Sequence, residues 1–146
     1  MTQSIIEEIK SQFDESNVVF DPETMAGIVD NCLPISFCPS AIVYPTNKKQ
    51  IQSILQIANQ FKTPVWTVSR GKNWGYGSKS PNFAGGILII LERMNKIIEV
   101  NEKLAYAVVE SGVSYAELNA HLKKTGSRLW VDPTGSTGHG SIIGNA

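Results

Sequence analysis

The sequence predicts an α+β fold: a βαβ unit, then a mixed or antiparallel sheet, with helices packed against both. Three observations lead there. Short runs rich in Ile and Val, at 41–44, 65–68, 87–91, 96–100 and 105–110, read as strands. Apolar residues at helical spacing occupy the stretches before and between several of them. Proline and glycine punctuate most of the boundaries.

Taken in order, Ser4 and Glu7 form a capping-box pattern, and Ile6, Ile9 and Phe13 follow on one helical face. Asp21-Pro22 places an N-cap before a proline at the first helical position and opens a short helix through Val29. These two helices read as an N-terminal helical arm over residues 1–38, with Pro34 and Pro39 keeping its end irregular. Ala41 to Tyr44 is a short strand. Thr46 or Asn47 then caps a helix whose face is Ile51, Ile54, Leu55 and Ala58, and Val65 to Val68 is the next strand. A strand, a helix and a strand in this order predict parallel strands joined by a right-handed crossover.

A long loop runs from Ser69 to Gly86, and loops of that length inside a compact domain are usually functional or disordered. Beyond it, Asn101 to Leu104 supplies the turn of a hairpin. Ser114 and Glu117 make a second capping box, Tyr115, Leu118 and Leu122 line the helix behind it, and Gly126 ends that helix.

Composition narrows the function. The 146 residues suffice for one domain with a modest core, and 42% apolar with 18% charged residues is ordinary globular usage. Thirteen basic residues balance thirteen acidic ones, which argues against a general nucleic-acid or anionic-membrane binder. No apolar run reaches the roughly 18 to 20 residues of a membrane span. Met1 to Glu8 lacks the basic start and apolar stretch of a secretory leader, so a cytoplasmic location is expected. Cys32 and Cys38 make neither a disulfide framework nor a metal site, and are expected to be small, semi-buried thiols.

The chemistry sits in two glycine-rich segments. Ser69-Arg70-Gly71-Lys72-Asn73-Trp74-Gly75-Tyr76-Gly77 directly follows a strand. Glycines let successive backbone N–H groups converge on an anion, Arg70 and Lys72 offer charge, and the natural ligand is a phosphate or diphosphate. The loop leads to a strand and contains no Gly-Lys-Ser or Gly-Lys-Thr, which sets aside the Rossmann and Walker patterns, both of which open a helix. Bound phosphate would be held by amides of an extended loop without a helix dipole. The bland alternative is glycines serving tight turns. The second segment, Pro133 to Asn145, is also glycine- and hydroxyl-rich, and two such loops beside one sheet suggest one long ligand gripped at two points.

From Pro39 to Ala146 the chain resembles the start of the flavin-binding domain of the vanillyl-alcohol oxidase and p-cresol methylhydroxylase family. The motifs are Pro-Ser-Ala-Ile-Val-Tyr-Pro at 39–45, the loop at 69–77, Leu-Glu-Arg-Met-Asn-Lys-Ile at 91–97, Val-Val-Glu-Ser-Gly-Val-Ser-Tyr at 108–115 and Gly-Ser-Ile-Ile-Gly-Asn-Ala at 140–146. The resemblance implies a partial FAD-binding domain of the p-cresol methylhydroxylase (PCMH) type over residues 39–146, with FAD as cofactor. It implies that Ser69 to Gly77 wrap the FAD diphosphate and that Pro133, Gly138, His139, Gly140, Ser141, Gly144 and Asn145 run beside it. Tyr76 would anchor a substrate phenolate. Family catalysis would be hydride transfer from a benzylic carbon to flavin N5, giving a quinone methide that water attacks, and a tyrosine stabilising the phenolate is electrostatic catalysis.

Lys72 stands where that branch usually has Arg, losing bidentate geometry though not charge, and Ser78 replaces a common glycine. Thr134, Gly135 and Ser136 stand where an acid often assists covalent flavin attachment, in a loop one residue longer, and His139 replaces a small residue. His121, on a capped helix, reads as a solvated surface residue. The remainder of the flavin domain and the substrate-capping domain are absent from the sequence. Activity would then need the missing C-terminal part, on a separate C-terminal partner chain or lost by truncation, and a homo-oligomer is the other partner expected. A non-catalytic stub is the competing reading, with Ile87 to Leu91 and Ile142-Ile143 as exposed apolar surface. A phosphate-binding domain unrelated to flavin is the third.

Overall fold

The computed structural model describes residues 2–72, 79–132 and 138–145. A four-stranded sheet lies at its centre. The strands are β1 (Val18–Val19), β2 (Ala41–Val43), β3 (Val65–Val68) and β4 (Ile87–Ile90), in the spatial order β1-β2-β4-β3. Helix α3 (Lys48–Gln60) joins β2 to β3, giving the expected βαβ unit. Both of its strands run parallel to β4, which lies between them, with Ala41 and Val65 each opposite Ile87. β1 adds an antiparallel edge, Val18 opposite Val43.

Alternation along β2 and β4 divides the core in two. Ala41, Val43, Ile87 and Ile89 face one cluster with Ile5, Ile9 and Phe13 of α1 (Thr2–Gln12) and its neighbouring loop, and with Ile54, Ile57 and Ala58 of α3. Ile42, Leu88 and Ile90 face the other, with Tyr44 and with Met25 and Val29 of α2 (Pro22–Val29). Burying an aliphatic side chain of this size contributes about 1.5–3 kcal/mol. Helices on both faces explain why 87–90 is an unbroken apolar run, as parallel strands commonly are. This overturns Ile87 to Leu91 as exposed surface: Ile87 to Ile90 are core, and Leu91 packs against it. Ile142 packs on the third cluster, while Ile143 is half exposed.

Local signals place most ends. Asp21 caps α2, its carboxylate accepting from the Thr24 amide at 2.8 Å, with Pro22 in the first turn. Asn47 caps α3 by accepting from the Gln50 amide at 3.1 Å. Two details differ from the sequence reading. α1 begins at Thr2, so Ser4 lies within the helix, because Ile5 must already be helical to reach the core one turn before Ile9. On α3 the buried face is turned: Ile57 is buried, and Leu55 is 49% exposed.

The first 38 residues supply α1 and α2 to the two clusters and β1 to the sheet edge. Arg93 fastens them: Nη1 donates to the Ser16 carbonyl at 2.8 Å and to Asn17 Oδ1, and the guanidinium lies over the Tyr44 ring at 5.0 Å. Cys32 and Cys38 are both exposed, not semi-buried, since the irregular stretch after α2 brings no element over them.

The second half forms a hairpin, β5 (Ile97–Asn101) antiparallel to β6 (Tyr106–Val109), followed by α4 (Tyr115–Lys124). Ile97, Val100 and Val109 pack on Val113, Leu118 and Leu122 in a third cluster. Gly126, at φ +69°, closes α4 with the Ser127 amide donating to the Leu122 carbonyl at 2.9 Å. Together these elements make the expected α+β architecture. Among the described residues no helix is long and apolar enough to cross a membrane, and no group of three or more His, Cys, Asp and Glu is placed to hold a metal ion.

Candidate functional site

β3 delivers its C-terminal end to Ser69, and ligands of open parallel sheets gather beyond such ends. The first loop departs from there. Gly71 has φ +62°, a conformation glycine reaches without a Cβ penalty, and Lys79 lies directly against it: a Cβ on Gly71 would overlap Lys79 Cγ. Two points of the loop, eight residues apart in the chain, therefore touch. Lys79 Nζ in turn lies 3.9 Å from Glu92 Oε2. Lys72 is exposed. Asn73, Trp74, Gly75, Tyr76 and Gly77 lie outside the described residues.

The second loop arrives from the other side and is built onto the start of α4. Ser114 is the N-cap, its Oγ accepting from the Glu117 amide at 3.2 Å while Glu117 Oε2 accepts from the Ser114 amide at 2.7 Å. The Tyr115 amide donates to the Gly140 carbonyl at 3.1 Å, and the Ala116 amide to the Gly138 carbonyl at 2.8 Å. All four N–H groups that a helix start leaves unpaired are thus satisfied within the protein. The start of α4 therefore offers an anion no unpaired backbone donor.

Ser141 pairs antiparallel with Ser114, and the Ile142 amide donates to the Val113 carbonyl at 3.1 Å. Gly140 and Ser141 are buried by this pairing, whereas Gly138 and His139 are exposed. Asn145 ends a short 3₁₀ turn, Ile143–Asn145. Pro133 lies outside the described residues. The Gly144 amide donates to Ser141 Oγ at 2.9 Å. A Cβ on Gly144 would come within 2.6 Å of Ser141 Oγ and 3.2 Å of Ser69 Oγ. The first residue of one glycine-rich segment thus packs against the last glycine of the other. His121, on α4, is half-buried rather than fully solvated.

Two participants were missed by sequence reasoning. Arg70 Nη1 donates to the Gly112 carbonyl at 2.9 Å and to Glu117 Oε2 at 3.2 Å. Glu117 Oε2 also accepts from Ser114 Oγ at 2.7 Å, and Glu117 Oε1 from Asn95 Nδ2 at 3.2 Å. Burial pushes the Glu117 carboxyl toward the protonated form, but the donors of Ser114 and Asn95 and the charge of Arg70 outweigh it and hold its pKa below the usual glutamate value. Glu117 was legible as a helix-capping residue; its second role depends on a partner 47 residues away. Gly112 gave only the signal of a glycine after a strand. A Cβ there would meet the Leu91 carbonyl, the Met94 carbonyl oxygen at 2.7 Å and the Glu92 carbonyl carbon at 2.9 Å, so this close backbone approach requires glycine.

Residues 39–146 match the family model described as FAD binding domain. The chain belongs to this FAD-binding family. Among its relatives, the 1'-carboxy-chondrochloren decarboxylase of Chondromyces crocatus is 44% identical over 105 residues, covering 72% of this chain and 19% of that protein. The flavoprotein subunit of 4-cresol dehydrogenase [hydroxylating] of Pseudomonas putida is 27% identical over 143 residues, covering 96% of this chain and 27% of that one. The solved structure of 4-ethylphenol oxidase from Gulosibacter chungangensis in its isoeugenol complex superposes with a TM-score of 0.89 at 36% identity, over 98% of this chain and 28% of that one. The chain spans less than a third of the length of each of these relatives. FAD is the cofactor of this domain family. Ser69, just past the C-terminal end of β3, lies against Gly144 of the second segment, and Lys72 stands exposed three residues along the first.

Proposed function

We propose that this chain is the FAD-binding portion of a flavin-dependent oxidoreductase that oxidises a phenolic or other alcohol substrate. One observation carries the reading: the two glycine-rich loops converge at Ser69 and Gly144 beyond the end of a parallel strand. Bound FAD would supply the hydride acceptor. The chain's own contribution is to bind and orient. Ser69, Gly71, Lys72 and Asn73 to Gly77 would hold the diphosphate. Pro133, Gly138, His139, Gly140, Ser141, Gly144 and Asn145 would line the path beside it. Tyr76 would stabilise a substrate phenolate through its hydroxyl, a role supported by relatives named for 4-cresol and 4-ethylphenol.

Ligand pockets enclose about 70–90% of a bound small molecule, and this chain covers 28% of the 4-ethylphenol oxidase it superposes on. Further polypeptide would complete the walls around the adenine and isoalloxazine. The same observation favours a second reading, a non-catalytic stub that folds but retains little flavin.

Titration of FAD into the purified chain, followed by quenching of flavin fluorescence, separates the two. The leading reading expects saturable binding that Gly75→Val abolishes. Colourless protein that refuses added FAD establishes the stub, and equal binding by wild type and Gly75→Val removes the first loop from the mechanism.

A further inference from the structure

We propose that Arg70 is a positioning residue that couples the two glycine-rich loops through the cap of α4, and that it is not one of the cations that meet the diphosphate. This rests on the FAD reading and deepens it. Among the described residues a single nitrogen, Nη1, makes both bonds, to the Gly112 carbonyl at 2.9 Å and to Glu117 Oε2 at 3.2 Å. Both acceptors belong to the entry of α4. The Glu117 oxygen that receives Arg70 is the one that receives the amide and hydroxyl of Ser114.

From Ser114 the connection continues without a gap. Ser114 is the antiparallel partner of Ser141, and the next two amides hold the carbonyls of Gly140 and Gly138. Ser69 closes the circuit from the other direction through Gly144. A ring of contacts therefore runs from the first loop through Arg70, Glu117 and Ser114 to Ser141 and Gly144, and back to Ser69. The position of each loop is set relative to the other by a residue that carries no glycine-loop chemistry itself.

Charge points the same way. The Arg70 guanidinium is paired with a carboxylate, its side chain is 20% exposed, and that pairing reduces its pull on a second anion. Lys72 is exposed, and among the described residues no carboxylate lies within ion-pair distance of it. Lys72 is the cation left to the ligand.

The experiment measures FAD affinity against salt concentration for the whole chain and for Arg70→Met, Arg70→Lys, Glu117→Gln, Lys72→Met and the double variant Arg70→Met/Glu117→Gln. Screening weakens a direct cation–phosphate attraction as salt rises, so removing such a cation flattens the salt dependence. The clamp predicts that Arg70→Met and Glu117→Gln each weaken binding roughly tenfold and that the double variant is no worse than either single one. It predicts the wild-type salt dependence in Arg70→Met, a flatter one in Lys72→Met, and partial recovery in Arg70→Lys. A flattened salt dependence in Arg70→Met, or losses that add in the double variant, overturns it.

A second readout needs no flavin. Hydrogen exchange at the Tyr115, Ala116 and Gly144 amides should speed up together in Arg70→Met and in Glu117→Gln. If the wild-type chain takes up no FAD, the cofactor reading fails and this exchange alone judges the clamp; unchanged protection at the three amides sinks it.

Discussion

Gly144 and Ser69 are packed so closely that a methyl group on the glycine would sit 3.2 Å from the serine hydroxyl oxygen. The same methyl would come within 2.6 Å of Ser141 Oγ, the acceptor of the Gly144 amide. Gly144→Ala should therefore push the two loops apart and weaken that hydrogen bond. Overpacking of this kind costs about 1–3 kcal/mol. Thermal unfolding should show the loss, and FAD titration should show weaker binding; a variant as stable as wild type would mean that the contact yields freely.

Gly112 faces a harder wall. Its three nearest neighbours are backbone atoms of Leu91, Glu92 and Met94, which cannot swing aside as a side chain can. Gly112→Ala should lose at least about 1–3 kcal/mol in urea unfolding, with displacement of the carbonyl that receives Arg70.

Glu117 gives the protein a pH dependence whose sign is fixed. Its folded-state pKa lies below the ordinary value of 4.5, so its contribution is fully present above that value and is lost as pH falls through the folded pKa. Asp21, lowered by the hydroxyl and amide of Thr24, acts in the same direction. The midpoint temperature should fall on acidification below the usual carboxylate range. Glu117→Gln and Asp21→Asn should each flatten that fall, and the two effects should add because the sites share no partner.

Helices α3 and α4 end in the same motif with different residues. Lys62 takes φ +49° with the Thr63 amide on the Ala58 carbonyl, and Gly126 takes φ +69° with the Ser127 amide on the Leu122 carbonyl. A side chain in this region is strained, so Lys62→Gly should stabilise by up to about 1 kcal/mol and Gly126→Lys should destabilise by a similar amount. Melting curves of both variants test the pair.

What was legible in the sequence was local. Asp21-Pro22, Asn47, the Ser114 and Glu117 box and Gly126 act within one turn of their own position, and the helix ends follow them. β1 was not legible, because two valines carry no periodicity and become a strand only by pairing with Val43 and Ile42. The insertion of β4 between β2 and β3 is likewise a property of the sheet and not of any segment. The buried state of 87–90 was available, since an unbroken apolar run is how a strand covered on both faces reads. At the site, the glycines and serines identified the loops. The Arg70–Glu117 pair and the Gly112 approach join residues far apart in the chain, and no local pattern announces either.

Gly71 resting on Lys79 has a bearing on how such a domain diversifies. Because Gly71 and Lys79 meet, a change in the residues between them need not be transmitted to β3 or β4. The strands can retain their register while those residues change, so a lineage can alter that stretch without renegotiating how it folds.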